Sequence, residues 1–293
     1  METVRLRLDI AYDGTAFSGW SKQPGLRTVQ EVIEDAIATL VRHPDLEVRL
    51  VVAGRTDAGV HATGQVAHID LTPHQWRAIA AARRGGTTEE SLTRRLNGII
   101  SATAPDVVIS RVTLAPEGFD ARFSPLWRRY EYRIADATSG HDPRRRAHTL
   151  WHPNALDEAA MDAAARSLRG LHDFAAFCKP REGATTIRTL LDYEWTRDAE
   201  GVLIATVRAD AFCHSMVRAL VGAAVAMGLG KLEHDELTRI LNAAVKANAF
   251  PVVAARGLTL VEVAYPPDAE LGARAELTRA RREPVGRASD PSD

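Results

Sequence analysis

The chain is short of cysteine, of long apolar runs and of net charge, and each shortage removes a class of protein. Only Cys178 and Cys213 occur in 293 residues. They are far apart in sequence and outside any metal-ligand spacing, so both are expected to be free thiols in a reducing cytoplasm. No apolar stretch approaches the roughly 20 residues that span a bilayer, which speaks against a membrane protein. The N-terminus, 1–9, alternates apolar and charged side chains and so lacks the apolar core of a signal peptide. A formal net charge of −1 does not announce a nucleic-acid binder. Basic residues are nonetheless clustered at Arg83-Arg84, Arg94-Arg95, Arg128-Arg129 with Arg133, Arg144-Arg145-Arg146, and Lys179 with Arg181. A near-neutral chain can present a basic groove if its acids lie elsewhere, although solvated helix and strand faces would give the same pattern.

What is present reads as an ordinary globular protein, with 45% apolar and 26% charged residues and a length that favours two domains. At the start, Val4, Leu6, Leu8 and Ile10 share one face while Arg5, Arg7 and Asp9 share the other, the period of a strand with one wet side. Thr28 and Glu31 form a capping-box pattern ahead of apolar residues at helical spacing, Val29 through Val41. Strands are expected at 48–53, 65–70 and 106–113, with helices opening at Thr72-Pro73 and covering 89–100. The order then repeats: a strand at 127–135, a helix at 157–168, strands at 186–197 and 202–209, helices at 212–229 and 235–246, and a closing strand at 258–265. Strand, helix, strand, strand, helix, strand is the split βαβ arrangement of ferredoxin-like domains. The expected fold is therefore α+β: two such halves forming a mixed, mostly antiparallel central sheet flanked by helices. An N-terminal subdomain would cover 1–114 and a C-terminal one 115–266. The remainder, 267–293, is rich in Arg, Ala, Glu, Asp and Pro and is expected to be a disordered tail.

One asymmetry between the halves points to function. The second hairpin turns in about four residues, whereas the first spends eleven, Gly54 to Gly64. A long connection in such a place usually carries chemistry. Its three glycines permit close backbone approach, and Arg55 and Asp57 stand two apart within it. The glycine spacing fits neither a dinucleotide fingerprint nor a phosphate-binding loop, and no serine-hydrolase elbow is present. His61 and His68 lack a third partner for zinc. A glycosidase would need a second acid beside Asp57, and the loop supplies none. Taken alone, Asp57 also fits a turn-capping role.

The run Ala53-Gly54-Arg55-Thr56-Asp57-Ala58-Gly59-Val60-His61-Ala62 resembles the signature of the TruA class of tRNA pseudouridine synthases. Shorter matches follow the same order along the chain: Tyr12-Asp13-Gly14, Gly19-Trp20, Thr28-Val29-Gln30-Glu31, Gly64-Gln65-Val66 with His68, Ala121-Arg122-Phe123-Ser124, Arg128-Arg129-Tyr130-Glu131-Tyr132, Gly170 with His172-Asp173-Phe174 and Phe177, Arg188-Thr189, then Phe212, His214 and Met216-Val217-Arg218 with Gly222, and Gly257-Leu258 with Tyr265-Pro266. Ser21, Ser215, the 101–105 connection and an apparent insertion over 84–91 depart from the pattern.

The resemblance, which spans about residues 4–266, implies isomerisation of uridine to pseudouridine at positions 38, 39 and 40 of the tRNA anticodon stem-loop. That reaction cuts the C1′–N1 bond, rotates the base and rejoins it through C5, with no cofactor and no metal. By the same resemblance Asp57 is the nucleophile or base, and Arg218 is its ion-pair partner. Tyr130 stacks on the uracil and assists proton transfer at C5, while Arg55 fills the space the flipped base vacates. A homodimer would form the basic groove, with Lys179, Arg181, Arg144, Arg145 and Arg146 as candidate phosphate contacts. A synthase for another RNA, or a non-catalytic RNA-binding protein on the same fold, are the alternatives.

Overall fold

The computed structural model describes residues 3–41, 49–80, 86–181 and 185–279. Val48, Arg83, Arg84, the first part of the 84–91 insertion and residues 280–293 lie outside the described residues. The N-terminal alternation becomes β1 (Val4–Tyr12), followed by α1 (Val29–Val41), β2 (Val51–Val52), β3 (His61–Leu71), α2 (Pro73–Ala80), α3 (Thr88–Thr103) and β4 (Val107–Leu114). The second half comprises β5 (Trp127–Ala135), β6 (Leu150–Trp151), α4 (Glu158–Ser167), β7 (Gly170–Asp173), β8 (Ile187–Arg197), β9 (Leu203–Ala209), α5 (Met216–Gly228), α6 (His234–Ala243) and β10 (Leu258–Ala264), with α7 (Leu271–Arg279) after it. The helix starts follow the capping chemistry. The Thr28 hydroxyl accepts from Glu31 N–H at 3.4 Å, and Thr87 with Glu90 makes a complete capping box ahead of α3.

All ten strands join one sheet in the order β4-β1-β3-β10-β5-β9-β8-β7, with β2 on β3 and β6 on β5. Within each half the core strands run last, first, third, second, which is the ferredoxin-like order, and their pairings are antiparallel. The halves fuse through β10 and β3, a parallel pair matching Thr259 with His61 and Leu260 with Ala62. The two backbones come close enough there that a side chain at Gly64 would collide with the Val261 carbonyl. Leu6 and Leu8 of β1 face Ile37 and Leu40 of α1, Ile79 of α2, and Leu92 and Leu96 of α3 around one apolar interior. In the second half α5 is buried from Met216 to Ala226 except at Arg218, as expected of a helix apolar on nearly every side.

Arg128 belongs to one of the basic clusters, yet its side chain is buried rather than solvated. The guanidinium donates to the main-chain carbonyls of Asp210 (2.7 Å), Ala53 (2.7 Å) and Arg122 (3.1 Å). Burial lowers its basicity, and the three carbonyl dipoles compensate the desolvated charge.

Three expectations are corrected. The first hairpin loop is shorter than eleven residues, because residues 61–64 are already strand. Their partners are Tyr12, paired with Ala62, and the distant β10. The segment after Pro266 is not a disordered tail throughout. Residues 268–270 form a 3₁₀ turn leading into α7, which buries Leu271 and Ala275. That helix is held by Ser124 Oγ on the Leu271 carbonyl (3.1 Å), Arg274 on the Pro125 carbonyl (3.2 Å) and Arg279 on Asp120 (2.9 Å). Lastly, Cys178 and Cys213 are not separate free thiols. They are neighbours in the fold, with Cα atoms 5.8 Å apart, within the span a disulfide bridges, and the Lys179 N–H bonds the His214 carbonyl beside them at 2.9 Å.

Replacing Arg128 by Met fills similar volume and strands the buried Ala53 carbonyl, while the part-buried carbonyls of Asp210 and Arg122 lose a donor. A buried unsatisfied group costs about 1–3 kcal/mol, so Arg128→Met is expected to lose about that much, read as a lower urea midpoint at unchanged slope.

Candidate active site

The catalytic-type loop now runs from Ala53 to Val60, and its backbone is pinned along its length. Ala53 N–H bonds the Val66 carbonyl at 2.8 Å, and Arg128 holds the Ala53 carbonyl. The Gln65 amide donates to the Gly54 carbonyl at 2.8 Å. Trp20 N–H donates to Thr56 O at 3.0 Å, and Gly59 N–H to Phe17 O at 3.3 Å. Beneath the loop the Tyr12 hydroxyl meets Thr56 Oγ1 at 2.7 Å and receives a bond from Gln65 at 3.3 Å. Burial pushes the Tyr12 phenol up to about 12, so it stays protonated and available as a donor at neutral pH.

These anchors present Asp57 at the seam between the halves, one-third exposed. Three side chains of the segment 214–218 surround its carboxylate. His214 Nε2 lies 3.5 Å from Oδ1, Ser215 Oγ lies 3.5 Å from Oδ2, and Arg218 Nη1 lies 3.8 Å from Oδ2. Arg218 is itself fixed, its Nε donating to the Val253 carbonyl at 2.7 Å. The arrangement can hold a negative charge and still leave carboxylate surface open to a ligand.

The other sequence-predicted residues distribute unevenly. Tyr130 is buried on β5, edge-on to Phe212 at 5.1 Å between centroids. Burial raises its phenol far above the ordinary value, and the Asp57 charge pushes the same way. A phenol that stays protonated is suited to stacking or donating rather than to acting as a phenolate base. Arg55 is exposed on the loop, and desolvation together with the cations Arg181 and Arg122 lowers its basicity while Asp57 opposes them. Arg55 therefore feels the charges of Arg181, Arg122 and Asp57. Lys179 and Arg181 are exposed and enter no ion pair among the described residues. Arg144, Arg145 and Arg146 sit in a separate 3₁₀ turn and are already engaged. Arg144 pairs with Asp142, Arg145 with Glu200 and Asp142, and Arg146 bonds the Pro143 carbonyl.

Both loop-proximal histidines are structural. His61 Nδ1 accepts from Gly14 N–H at 3.1 Å and its Nε2 faces the Arg256 carbonyl at 3.2 Å. His68 accepts from Ala121 N–H at 3.0 Å, and burial pulls it down to about 4, so it is neutral. The contacts of His214 and Ser215 with Asp57 were not foreseen. His214 belonged to the family pattern and Ser215 departed from it, but nothing local signals a contact made across 157 positions of chain, as the Ser215 separation of 158 illustrates.

Two fused ferredoxin-like halves with a carboxylate loop at their seam fit the pseudouridine synthases, isomerases that rebuild a uridine around its own sugar. A family profile described as tRNA pseudouridine synthase matches residues 10–93 and 164–266, and the chain belongs to that family. It is 57% identical over 284 residues to the tRNA pseudouridine synthase A of Leifsonia xyli subsp. xyli, covering 96% of this chain and 98% of that one. Identity to the protein of the same name from Frankia casuarinae is 56% over 281 residues, with 96% of each chain covered. Identity to that from Mycobacterium leprae is 47% over 285 residues, again with 96% of each covered.

Tyr12→Phe removes the hydroxyl beneath the loop while keeping the ring in place. Stability is expected to fall by about 1 kcal/mol, whereas pseudouridine formation falls further than stability accounts for, because Thr56 next to Asp57 loses its tether. Melting temperature and single-turnover rate on one tRNA transcript check this together.

Proposed function

We propose that this chain converts uridine to pseudouridine at positions 38, 39 and 40 of the tRNA anticodon stem-loop, with Asp57 as the catalytic carboxylate and without a cofactor. The observation that carries the reading is the Asp57 carboxylate held between a guanidinium and two further polar side chains from the opposite half. The position in tRNA rests on the resemblance of the loop and on relatives named tRNA pseudouridine synthase A.

Seen this way, the geometry divides the work. The target nucleotide leaves the stack at a cost of a few kcal/mol and lands over Asp57. Its arrival excludes water, and the attraction between Asp57 and Arg218 strengthens as the local dielectric falls. Asp57 acts on the nucleotide as nucleophile or base, and Tyr130 with its protonated hydroxyl packs against the uracil. Arg55, exposed on the same loop as Asp57, is placed to fill the gap in the RNA, where a planar guanidinium can stack and bond phosphate. Lys179 and Arg181 contact neighbouring phosphates, and a homodimer completes the groove. The acids already beside Arg144 and Arg145 leave those two less to offer an RNA backbone.

The test uses unmodified tRNA transcripts, with pseudouridine mapped by carbodiimide treatment and primer extension. Wild type is expected to mark positions 38–40, and Asp57→Asn to bind the same tRNA without product. Product from Asp57→Asn would remove the carboxylate from the reaction, and product only at other positions or in other RNAs would reassign the substrate. Binding without product from wild type would favour a non-catalytic RNA-binding protein.

Salt dependence separates the phosphate contacts. Arg181→Ala is expected to flatten the slope of log affinity against log salt by about one unit. Arg145→Ala, removing a guanidinium already engaged by Glu200, should flatten it by less.

A further inference from the structure

Asp57 is approached differently on its two oxygens. Oδ2 faces both Ser215 and Arg218, whereas among the described residues His214 is the partner of Oδ1, with Nε2 at 3.5 Å. Arg218 alone would leave the carboxylate free to turn about its Cβ–Cγ bond, since both of its closest polar neighbours from the helix lie on one side. A donor on Oδ1 fixes the plane.

The segment that carries His214 is built to hold it there. Ser215 occupies the left-handed region at φ 63°, a conformation that a non-glycine residue adopts only under constraint from its surroundings. It stands at the N-cap position of α5 yet makes no side-chain capping bond, and its hydroxyl points instead to Asp57. The turn is braced on both sides, by Met216 N–H on the Cys213 carbonyl (3.1 Å) and by Lys179 N–H on the His214 carbonyl (2.9 Å). Strain at Ser215 and a forfeited cap are therefore spent on aiming two side chains at one carboxylate.

We propose that His214 is a positioning residue for the isomerisation: its Nε2–H donates to Asp57 Oδ1 and fixes the attacking orientation of the carboxylate, opposite Ser215 and Arg218 on Oδ2. This rests on the reading of Asp57 as catalytic. Nε2 carries a proton both in the imidazolium and in one neutral tautomer, so the contact does not require a charged ring. The separation of 3.5 Å is long for a hydrogen bond and would shorten once a nucleotide excludes water, as catalytic contacts often do.

The experiment compares wild type, Asp57→Asn, His214→Leu and His214→Gln on one tRNA transcript, reading the single-turnover rate and the tRNA dissociation constant separately. His214→Leu is expected to slow the single-turnover rate by about 10- to 100-fold with tRNA affinity unchanged, the scale of a misplaced reacting group. His214→Gln, which keeps an N–H donor at similar reach, is expected to recover most of that loss. A melting curve confirms folding, and if the Leu variant does not fold, His214→Asn, whose donor is too short to reach Oδ1, replaces it. A wild-type rate in the variant lacking the donor overturns the proposal. So does a loss that appears only in affinity, which would make His214 an RNA contact. Equal inactivity of His214→Gln and His214→Leu also overturns it, because a ring that must move a proton cannot be replaced by an amide. Failure of the Asp57 reading is distinguishable, since Asp57→Asn would then retain the wild-type rate.

Discussion

Where the two halves meet, a buried guanidinium donates hydrogen bonds to three main-chain carbonyls, and the geometry of the site builds on that clamp. Arg128 joins Ala53, where the Asp57 loop begins, to Asp210, where the chain leaves β9 for the turn and helix that bear His214, Ser215 and Arg218. Asp57 and its partners thus belong to separate halves but are referred to one common point. A carboxylate on Arg128 would have satisfied its charge just as well. Carbonyls do something more, because they fix backbone rather than a side chain with its own rotamers. The parallel pairing of β3 with β10 supplies the second constraint, holding the halves in register beside the clamp.

Around that frame the site combines rigid support with an accessible carboxylate. The Tyr12, Thr56 and Gln65 bonds beneath the loop are buried, whereas Asp57 remains one-third exposed. A fully buried carboxylate would favour its neutral form, and a fully exposed one would be screened by water. On the proposed reading, an intermediate placement would let an incoming nucleotide complete the enclosure and strengthen the electrostatic contacts when substrate is present.

Much of the fold was legible because it is written in local periods. The alternation of Leu6, Leu8 and Ile10 against Arg5, Arg7 and Asp9 defines a strand whatever surrounds it, and Thr28 with Glu31 announces α1. The duplicated order of elements then implied two ferredoxin-like halves. The errors share a cause in contacts between distant segments. His61 to Gly64 looked like loop because its glycine and alanine content carries no strand signal, and two of its three pairings come from β10. Leu271 and Ala275 are too few to mark a helix by composition, yet they suffice to dock α7 when Ser124, Pro125 and Asp120 supply polar anchors. The cysteines, far apart in sequence, are brought together where the backbone of Lys179 bonds that of His214. In the site, Asp57, His214 and Arg218 were marked by the family pattern, although no role was attached to His214, whereas Ser215 had been noted only as a departure from it.

The position of β10 bears on how the molecule comes into being on the ribosome. The strand made last among the ten is inserted in the middle of the sheet, between β3 and β5, rather than added at a rim. Without it, β3 and β5 would each present a naked border able to pair with a stranger. Insertion of β10 therefore covers both borders at once and completes the seam at which Asp57 meets Arg218.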